Sequence, residues 1–364
     1  MIMVLSKNER DKVFLMEEVV NFPTSLLRHP SFQWKNLPMV PYSNLKGAVV
    51  SLMEGGKKVA IITGFYIPGG DPPATETDGP PGALILAEGL YYLGMEVMLI
   101  SDPYTIPALK AGLKILGLTE REVPILTFPM EHHDENHTSR MDNEEANHNL
   151  SVNFVREFLS GPTGRDLSHL VYIERVGPNH TLESFLSQDP SNPGFLKEFE
   201  ALLPSFRRNR CYNSRLDDIT RFTGKTHLLI EVLIEMKLPI ETIGVADRGN
   251  EIGSGRVPWK VFMEASEDHR ESIFGCRIKT DYLITCGVSN WGGYALWAGV
   301  ALARGRPELL EKVTPEQEGR VLNHLVQHGP AIDGITRRQD ASVDGIGFDA
   351  YMQVIERIKE IALE

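Results

Sequence analysis

The chain has 364 residues, with 37 Lys and Arg against 49 Asp and Glu, which gives a formal net charge of −12 and a pI near 5.5. This acidic balance argues against a nucleic-acid-binding surface. With 42% hydrophobic and 24% charged residues, the composition is that of a globular protein and excludes the disordered and collagen-like classes. The length predicts about two domains, or one large α/β domain with an added cap.

The sequence also argues against export and membrane insertion. Residues 1–5 are apolar, but charged residues follow at once and no small-residue cleavage pattern is present. The most apolar stretch, residues 81–101, contains Glu88 and Glu96, whereas a bilayer span needs about 20 nearly uncharged residues. The three cysteines form no CxxC pair and cannot all pair with one another, which fits reduced thiols. We therefore expect a cytoplasmic protein that does not cross a membrane.

In chain order, residues 1–57 come first, and we interpret them as an N-terminal extension or cap. Residues 1–45 within it contain four prolines around one predicted helix. The remainder, residues 58–364, is predicted to form the main domain. Six apolar runs in it are nearly continuous, as in strands buried on both faces of a parallel sheet, at residues 58–64, 95–101, 123–128, 170–174, 240–246 and 282–286. Helical spacing is found at residues 82–93, 223–237, 294–303 and 316–328. The alternation predicts an α/β fold with a doubly wound, mostly parallel sheet and helices on both faces.

Two segments depart from this alternation. Residues 129–149 are polar, acidic and rich in histidine, which predicts an exposed loop or a partly helical lid. Residues 178–217 are rich in Pro, Asn and Ser, and we interpret them as a smaller insertion between the two halves of the sheet. Ligands of doubly wound sheets bind beyond the carboxyl ends of the strands, so candidate functional residues are expected where the predicted strands end.

The loop after the first predicted strand, residues 65–82, is rich in proline and glycine, which fix its backbone path. It carries Glu76, Thr77 and Asp78 beside the start of a predicted helix. Amides around Gly79 are therefore candidates for holding an anionic ligand at the positive end of that helix. The alternative is a rigid turn in which Asp78 is only an N-cap.

A second acidic loop follows the fifth predicted strand. Asp247, Asn250 and Glu251 offer oxygen ligands, which hard divalent cations prefer. If Glu76 and Asp78 lie at the neighbouring strand end, the combined set predicts a Mg²⁺ or Mn²⁺ site, and the absence of cysteine and histidine makes zinc a poorer fit. The alternative is an ordinary polar turn with Asp247 as a cap.

Other strand ends add candidate residues. Glu174 and Arg175 follow the fourth predicted strand, and Ser289 or Asn290 after the sixth strand is predicted to cap the next helix and expose amides to a carboxylate or phosphate. Two Asp-Gly pairs near the C-terminus, at Asp333 and Asp344, are more often turn residues than catalysts.

Five sequence strings carry a resemblance to a known family. They are TGF at 63–65, ATETDGPPGA at 74–83, ERVG at 174–177, GVADRGNEIGSG at 244–255 and SNWGGYAL at 289–296. Together they resemble the C-terminal domain of D-glutamate cyclase and its stand-alone microbial relatives, over most of the chain from about residue 58 to 349. The resemblance implies a hydro-lyase that converts D-glutamate to 5-oxo-D-proline with loss of water.

That reaction suits an acidic metal site. A divalent ion would polarise the γ-carboxylate, while one protein carboxylate accepts the ammonium proton and an acid protonates the departing water. We hypothesise Glu76, Asp78, Asp247 and Glu251 as ligands or base, and Asn250 as a ligand or oxyanion donor. Substrate-binding candidates are Arg175 or Arg256 for the α-carboxylate, together with Thr77, Gly79, Glu174, Ser289 and Asn290.

Two other readings remain open from the residues alone. A Mn²⁺- or Mg²⁺-dependent phosphatase would use the same acidic cluster, with the glycine-rich loop and a helix N-terminus holding phosphate. A non-catalytic protein would bind an acidic metabolite without turnover. The expected partner is thus a small acidic metabolite, D-glutamate or a phosphate ester, with no nucleic acid and no membrane, and the oligomeric state is open.

Overall fold

The computed structural model describes residues 5–22, 38–130, 144–188 and 195–364, with only the backbone described for 144–147. Its centre is a sheet of six parallel strands. These strands are β1 Lys58–Thr63, β4 Glu96–Ser101, β5 Ile125–Thr127, β6 His169–Ile173, β7 Glu241–Ala246 and β8 Tyr282–Thr285. Four short strands pair outside this sheet, namely β2 Tyr66–Ile67 with β3 Ala74–Thr75, and β9 Ser342–Val343 with β10 Ile346–Gly347.

The order of the central strands is β5-β4-β1-β6-β7-β8. The chain therefore runs from β1 outward to β5, returns to the middle at β6, and runs outward again to β8. The boundary between β1 and β6 is the topological switch point, where ligands of doubly wound sheets bind. All six predicted strands and the predicted α/β class are confirmed.

Thirteen α-helices lie in the described part of the chain. In chain order they are α1 Lys7–Asn21, α2 Leu45–Gly55, α3 Pro80–Tyr92, α4 Ile106–Ile115, α5 Glu144–Ser160, α6 Leu182–Gln188, α7 Leu196–Leu202, α8 Leu228–Glu235, α9 Trp259–Ala265, α10 Arg270–Phe274, α11 Ser289–Ala303, α12 Pro315–His328 and α13 Phe348–Leu363. Single turns of 3₁₀ helix occur at Val40–Tyr42, Ser205–Arg207 and Thr220–Phe222, and a longer one at Pro307–Lys312.

Alternate strand residues supply two separate apolar cores. Val59 and Ile61 of β1 face the larger core, which contains residues of α1, α2, α3, α4, α11, α12 and α13. Ala60 and Ile62 face the other core, which contains residues of α5 and α8. Every strand residue of β1 after Lys58 is buried, which explains why the run is continuously apolar.

The helix predictions were less accurate than those for the strands. Helix α8 is shorter than the predicted 223–237, and α11 begins at Ser289, with Val288 as its N-cap. In the described part of residues 1–44, α1 is the one α-helix, as predicted, and a 3₁₀ turn follows it. The next helix, α2, was not predicted, although it has the helical apolar spacing Leu45, Ala48, Val49 and Leu52, all of them buried.

The first helix, α1, is also built into the larger core. It begins at a capping box between Ser6 and Glu9 and buries Val13, Met16 and Val20 against that core. The division at residue 57 into an extension and a main domain stays a prediction.

The two irregular segments are partly described. Within the predicted lid 129–149, residues 131–143 lie outside the described residues, and Glu144 begins α5. The predicted insertion 178–217 contains α6 and α7, whose aromatic residues pack with Trp259 in a small separate cluster. Among the described residues, no helix is both long enough and apolar enough to span a bilayer, and all three cysteines are buried and free.

Candidate active site

Three buried carboxylates from three different strand ends meet at the switch point. Asp78 lies in the loop after β1, Glu174 directly follows β6 and Asp247 directly follows β7. One carboxylate oxygen of each lies within 4.8 Å of the others, and all three side chains are buried. Parallel strands place their carboxyl ends at one edge of the sheet, which is why residues so far apart in sequence converge.

The carboxylate of Asp78 is oriented by the start of α11. Its Oδ2 accepts a hydrogen bond from the backbone N–H of Ser289 at 2.8 Å, and its Oδ1 accepts one from the N–H of Asn290 at 2.7 Å. The positive end of a helix dipole stabilises a negative charge at this position. Asp78 is therefore held rigidly by α11, although it lies before α3 in sequence.

The side chain of Asn290 in turn hydrogen-bonds to the backbone of the loop that carries Asp78. Its Oδ1 accepts hydrogen bonds from the N–H groups of Gly79 at 2.9 Å and Gly82 at 2.8 Å, and its Nδ2 donates to the Thr77 carbonyl at 3.0 Å. Gly79 has φ 95°, and a Cβ there would lie 2.6 Å from Thr63 Oγ1. These contacts hold the loop that carries Asp78, whereas the sequence analysis assigned Thr77, Gly79 and Asn290 to substrate.

Glu174 turns toward the cluster because its backbone adopts a left-handed conformation, with φ 45°. Its Oε2 accepts a hydrogen bond from the Ser289 hydroxyl at 2.6 Å. A non-glycine residue in this region stores roughly 1–3 kcal/mol of strain and is often found at functional sites. The first residues of α11 thus position two of the three carboxylates.

The loop after β7, which carries Asp247, is held in place by hydrogen bonds of Glu251 and Asn250. The Glu251 carboxylate accepts hydrogen bonds from the N–H groups of Arg248 at 3.2 Å and Gly249 at 2.8 Å, so Glu251 holds its own loop. Asn250 donates its Nδ2 to the Tyr212 carbonyl at 3.0 Å. Among the described residues, the buried Oδ1 atoms of Asp247 and of Asn250 have no hydrogen-bond partner.

A small pocket of about 40 Å³, partly open to solvent, is lined by Glu174 and Asp247. Other acidic residues in its lining are Glu76 and Asp344, and three arginines complete the charged residues of its wall, namely Arg215, Arg248 and Arg337. Glu76 is buried but is not one of the three converging carboxylates. Asp344 lies in the turn between β9 and β10, with φ 52°.

Burial and mutual repulsion raise the pKa of each pocket carboxyl. Burial is the larger cause, and neighbouring carboxylates add to it, so the pKa values of Glu76, Asp78 and Glu174 lie well above their usual range. The same causes raise the pKa of Asp247 to about 8 and that of Asp344 to about 7. Arg248 opposes this rise in pKa at Glu76, Asp247 and Asp344 but does not cancel it.

This donor set fits a hard divalent cation. Carboxylate and amide oxygens are what Mg²⁺ and Mn²⁺ prefer, and no cysteine or histidine lies among the three converging residues. A cation would also bind the unpartnered Oδ1 of Asp247 and relieve the repulsion between the carboxylates.

The structure corrects the two arginines assigned to the α-carboxylate. Arg175 is buried and donates to Asp102 Oδ2 at 2.6 Å, to two backbone carbonyls and to the Thr226 hydroxyl, so all three of its guanidinium nitrogens are engaged. Arg256 donates to the carbonyls of Thr280 and Asp281, which precede β8 and so lie at the opposite edge of the sheet. Neither guanidinium is directed at the cluster.

Four charged pocket residues were absent from the sequence-based set, namely Arg215, Arg248, Arg337 and Asp344. The Asp-Gly signal was ambiguous, because Asp333 is indeed a turn residue whose oxygens accept hydrogen bonds from the backbone of Ile335, Thr336 and Gly345 and from the Ser342 hydroxyl. Asp344 has the same local pattern but lines the pocket. No local signal distinguishes the two.

Comparison with known proteins gives a family match over most of the chain. The model of the family described as "D-glutamate cyclase-like, C-terminal" matches residues 33–184 and 199–359. Human mitochondrial D-glutamate cyclase is 27% identical over 342 residues, which cover 85% of this chain and 46% of that protein. The chain therefore spans about half the length of this curated relative.

Proposed function

The chain belongs to the D-glutamate cyclase-like, C-terminal family, and on this premise we propose that it is a lyase that cyclises D-glutamate to 5-oxo-D-proline with loss of water, assisted by a divalent cation. The observation that carries the proposal is the convergence of Asp78, Glu174 and Asp247 at the switch point of the sheet, with an unpartnered oxygen on Asp247. The name of the human relative supports the substrate.

The reaction has two obstacles that such a site relieves. The amine must attack a carboxylate, whose negative charge repels a nucleophile, and the departing oxygen is a poor leaving group. A bound Mn²⁺ or Mg²⁺ would supply a Lewis acid for the γ-carboxylate. Asp78, Glu174 and Asp247 would hold that ion, and the Oδ1 of Asn250 is a further acceptor beside them.

The proton balance requires a group that works as both base and acid. The ammonium nitrogen gives up two protons as the N–C bond forms, and the departing carboxylate oxygen takes two protons as the C–O bond breaks and water leaves. The net change is zero, so one carboxyl can accept protons and return them. We assign this role to the carboxyl of Glu76, which lines the pocket outside the three converging carboxylates and whose pKa is raised by burial.

The test is an incubation of the purified protein with D-glutamate, L-glutamate and a generic phosphate ester, with Mn²⁺ or Mg²⁺ and with EDTA. Oxoproline and free phosphate are followed in parallel. We expect oxoproline from D-glutamate, its loss in EDTA, and no phosphate. Phosphate release without oxoproline would identify a phosphatase instead, and binding of D-glutamate without turnover would identify a binding protein.

A pair of variants separates the site from general damage to the fold. Asp247→Asn removes a carboxylate of the cluster, and Asp166→Asn makes the same change at an exposed position. The proposal requires loss of oxoproline formation in the first variant and wild-type activity in the second.

A further inference from the structure

The guanidinium of Arg248 is a nearly buried cation near several pocket carboxylates, but it forms no side-chain hydrogen bond among the described residues. Its side chain is 15% exposed, and its one ion pair among the described residues joins Nη2 to Asp344 Oδ2 at 3.7 Å, which is too long for a hydrogen bond. Among those residues it donates no side-chain hydrogen bond, and only its backbone N–H is engaged, by Glu251. A planar guanidinium with free donors is suited to bidentate binding of a carboxylate.

The other arginines around the pocket are placed differently. Arg215 is exposed and donates to the Ile335 carbonyl at 3.0 Å, and Arg337 lies 3.6 Å from Asp217. Arg175 has its guanidinium nitrogens engaged by protein acceptors. The Nε of Arg337 is also buried without a hydrogen-bond partner among the described residues, but its side chain is 29% exposed against 15% for Arg248. Of the arginines that line the pocket, only Arg248 directly follows a residue of the acidic cluster, which makes it the one best placed to bind an anion beside that cluster.

The position of Arg248 also determines how a bound dicarboxylate would be oriented in the pocket. It directly follows Asp247, so Arg248 shares a loop with one member of the acidic cluster and borders the same pocket as Asp247 and Glu174. In a dicarboxylate with an amino group, one carboxylate would face the cluster and the other would face Arg248. The amine would then lie between them, where carboxylates such as Glu76 border the pocket.

We propose that Arg248 binds the α-carboxylate of the substrate and makes the site selective for an α-amino dicarboxylate over an ω-amino acid that lacks this group. The proposal rests on the proposed function for the assignment of the second carboxylate to the acidic cluster. In this proposal Arg248 takes the place of Arg175 and Arg256 as the residue that binds the α-carboxylate, because the guanidinium groups of those two arginines hydrogen-bond to other protein atoms.

The test compares two ligands on two proteins. D-Glutamate and 4-aminobutanoate differ only in the α-carboxylate, and their affinities are measured by calorimetry with Mn²⁺ present, for the wild type and for Arg248→Gln. We expect the wild type to favour D-glutamate, and Arg248→Gln to weaken D-glutamate binding by about 10- to 100-fold, as for loss of a charged hydrogen-bonding partner. The affinity for 4-aminobutanoate should stay within about twofold.

Two further variants serve as controls. Arg256→Gln is the matched control from the same loop and should leave both affinities unchanged. Arg248→Lys keeps the charge but not the planar fork, so it should restore part of the D-glutamate affinity, and it serves in place of Arg248→Gln if that variant does not fold.

The outcomes separate this inference from the cyclase proposal. Equal weakening of both ligands in Arg248→Gln, or a wild type that fails to favour D-glutamate, overturns the role of Arg248. Selective loss of D-glutamate binding supports that role even if no oxoproline is formed, in which case the cyclase proposal alone fails.

Discussion

Two groups of buried charges lie at the same edge of the sheet, and the adjacent residues Glu174 and Arg175 belong to different groups. Arg175 pairs with Asp102, so that a positive charge balances a negative one inside the protein. Glu174 instead joins Asp78 and Asp247, and the nearby Arg248 offsets only part of the charge of these three acidic groups. The balanced pair has its counter-charge within the chain, whereas we propose that a cation from solution completes the acidic cluster.

The backbone explains how adjacent residues reach opposite surroundings. Glu174 has φ 45°, and this left-handed step turns its side chain toward the cluster while Arg175 extends toward the ends of β1 and β4. A buried charge in a strand-end loop is therefore not by itself a sign of function. What distinguishes the two groups is that Arg175 donates a hydrogen bond to Asp102 at 2.6 Å, whereas Arg248 reaches the pocket carboxylates only through an ion pair of 3.7 Å with Asp344.

Removing the cation of the balanced pair should have the largest effect. Arg175→Met leaves Asp102 buried without its partner and should lower the free energy of unfolding by about 3–5 kcal/mol in urea titrations. The control is Arg156→Met, which breaks an exposed ion pair with Glu235 and should change that free energy by about 0–1 kcal/mol. Similar small losses in both variants would contradict a stabilising role for the buried pair.

Neutralising one member of the acidic cluster should lower the activity without lowering the stability. Asp247→Asn should lower oxoproline formation by about 100-fold or more, because it removes a group proposed to hold the cation. Its free energy of unfolding should be unchanged or higher, since repulsion between buried carboxylates is relieved. A variant that unfolds more easily than wild type would place Asp247 among the structural charges, with Arg175.

Adding a divalent cation from solution should stabilise the wild type. Mn²⁺ at about 100 times its dissociation constant should raise the free energy of unfolding by about 2.7 kcal/mol, if the unfolded chain does not bind it. Thermal melts with and without EDTA measure the effect. Asp247→Asn should abolish most of it, and an equal stabilisation of that variant would mean that the ion binds elsewhere.

The smallest expected effect is a pH dependence of the metal-free protein. The pKa of Asp247 is raised from 3.8 to about 8 and that of Asp344 from 3.8 to about 7, so between about pH 4 and about pH 8 the folded state holds protons that the unfolded state has released. Stability should therefore fall as pH rises through this window, by up to about 1.4 kcal/mol per pH unit for each proton held. Urea titrations in EDTA at the two pH values check this, and Asp247→Asn should show a shallower fall. Stability that rises with pH would contradict the expected direction.

Much of the fold could be predicted from the sequence because burial on both faces leaves a continuous apolar run, as in the strand that ends at Thr63. The convergence of Asp78 with Asp247 followed from the same reasoning, since both lie in loops at the carboxyl ends of parallel strands.

The remainder depended on contacts that no local pattern encodes. Glu174 and Arg175 are adjacent and both buried, and only the observed backbone conformation separates their roles. Arg215 and Asp344 reach the pocket from loops outside the central sheet, so the rule about strand ends did not find them. Their roles stay predictions until the variants are measured.

The exchange of hydrogen bonds between Asp78 and Asn290 has a consequence for the order in which the protein folds. The two residues are 212 positions apart, and each binds backbone amides of the other's loop. Contacts between such distant positions carry a large loop-closure entropy and form late unless other structure has already brought them together. During synthesis the loop that carries Asp78 emerges long before α11, and until α11 docks, its carboxylate has only the local hydrogen bond from the Gly79 N–H. We therefore expect the site to be completed late in folding.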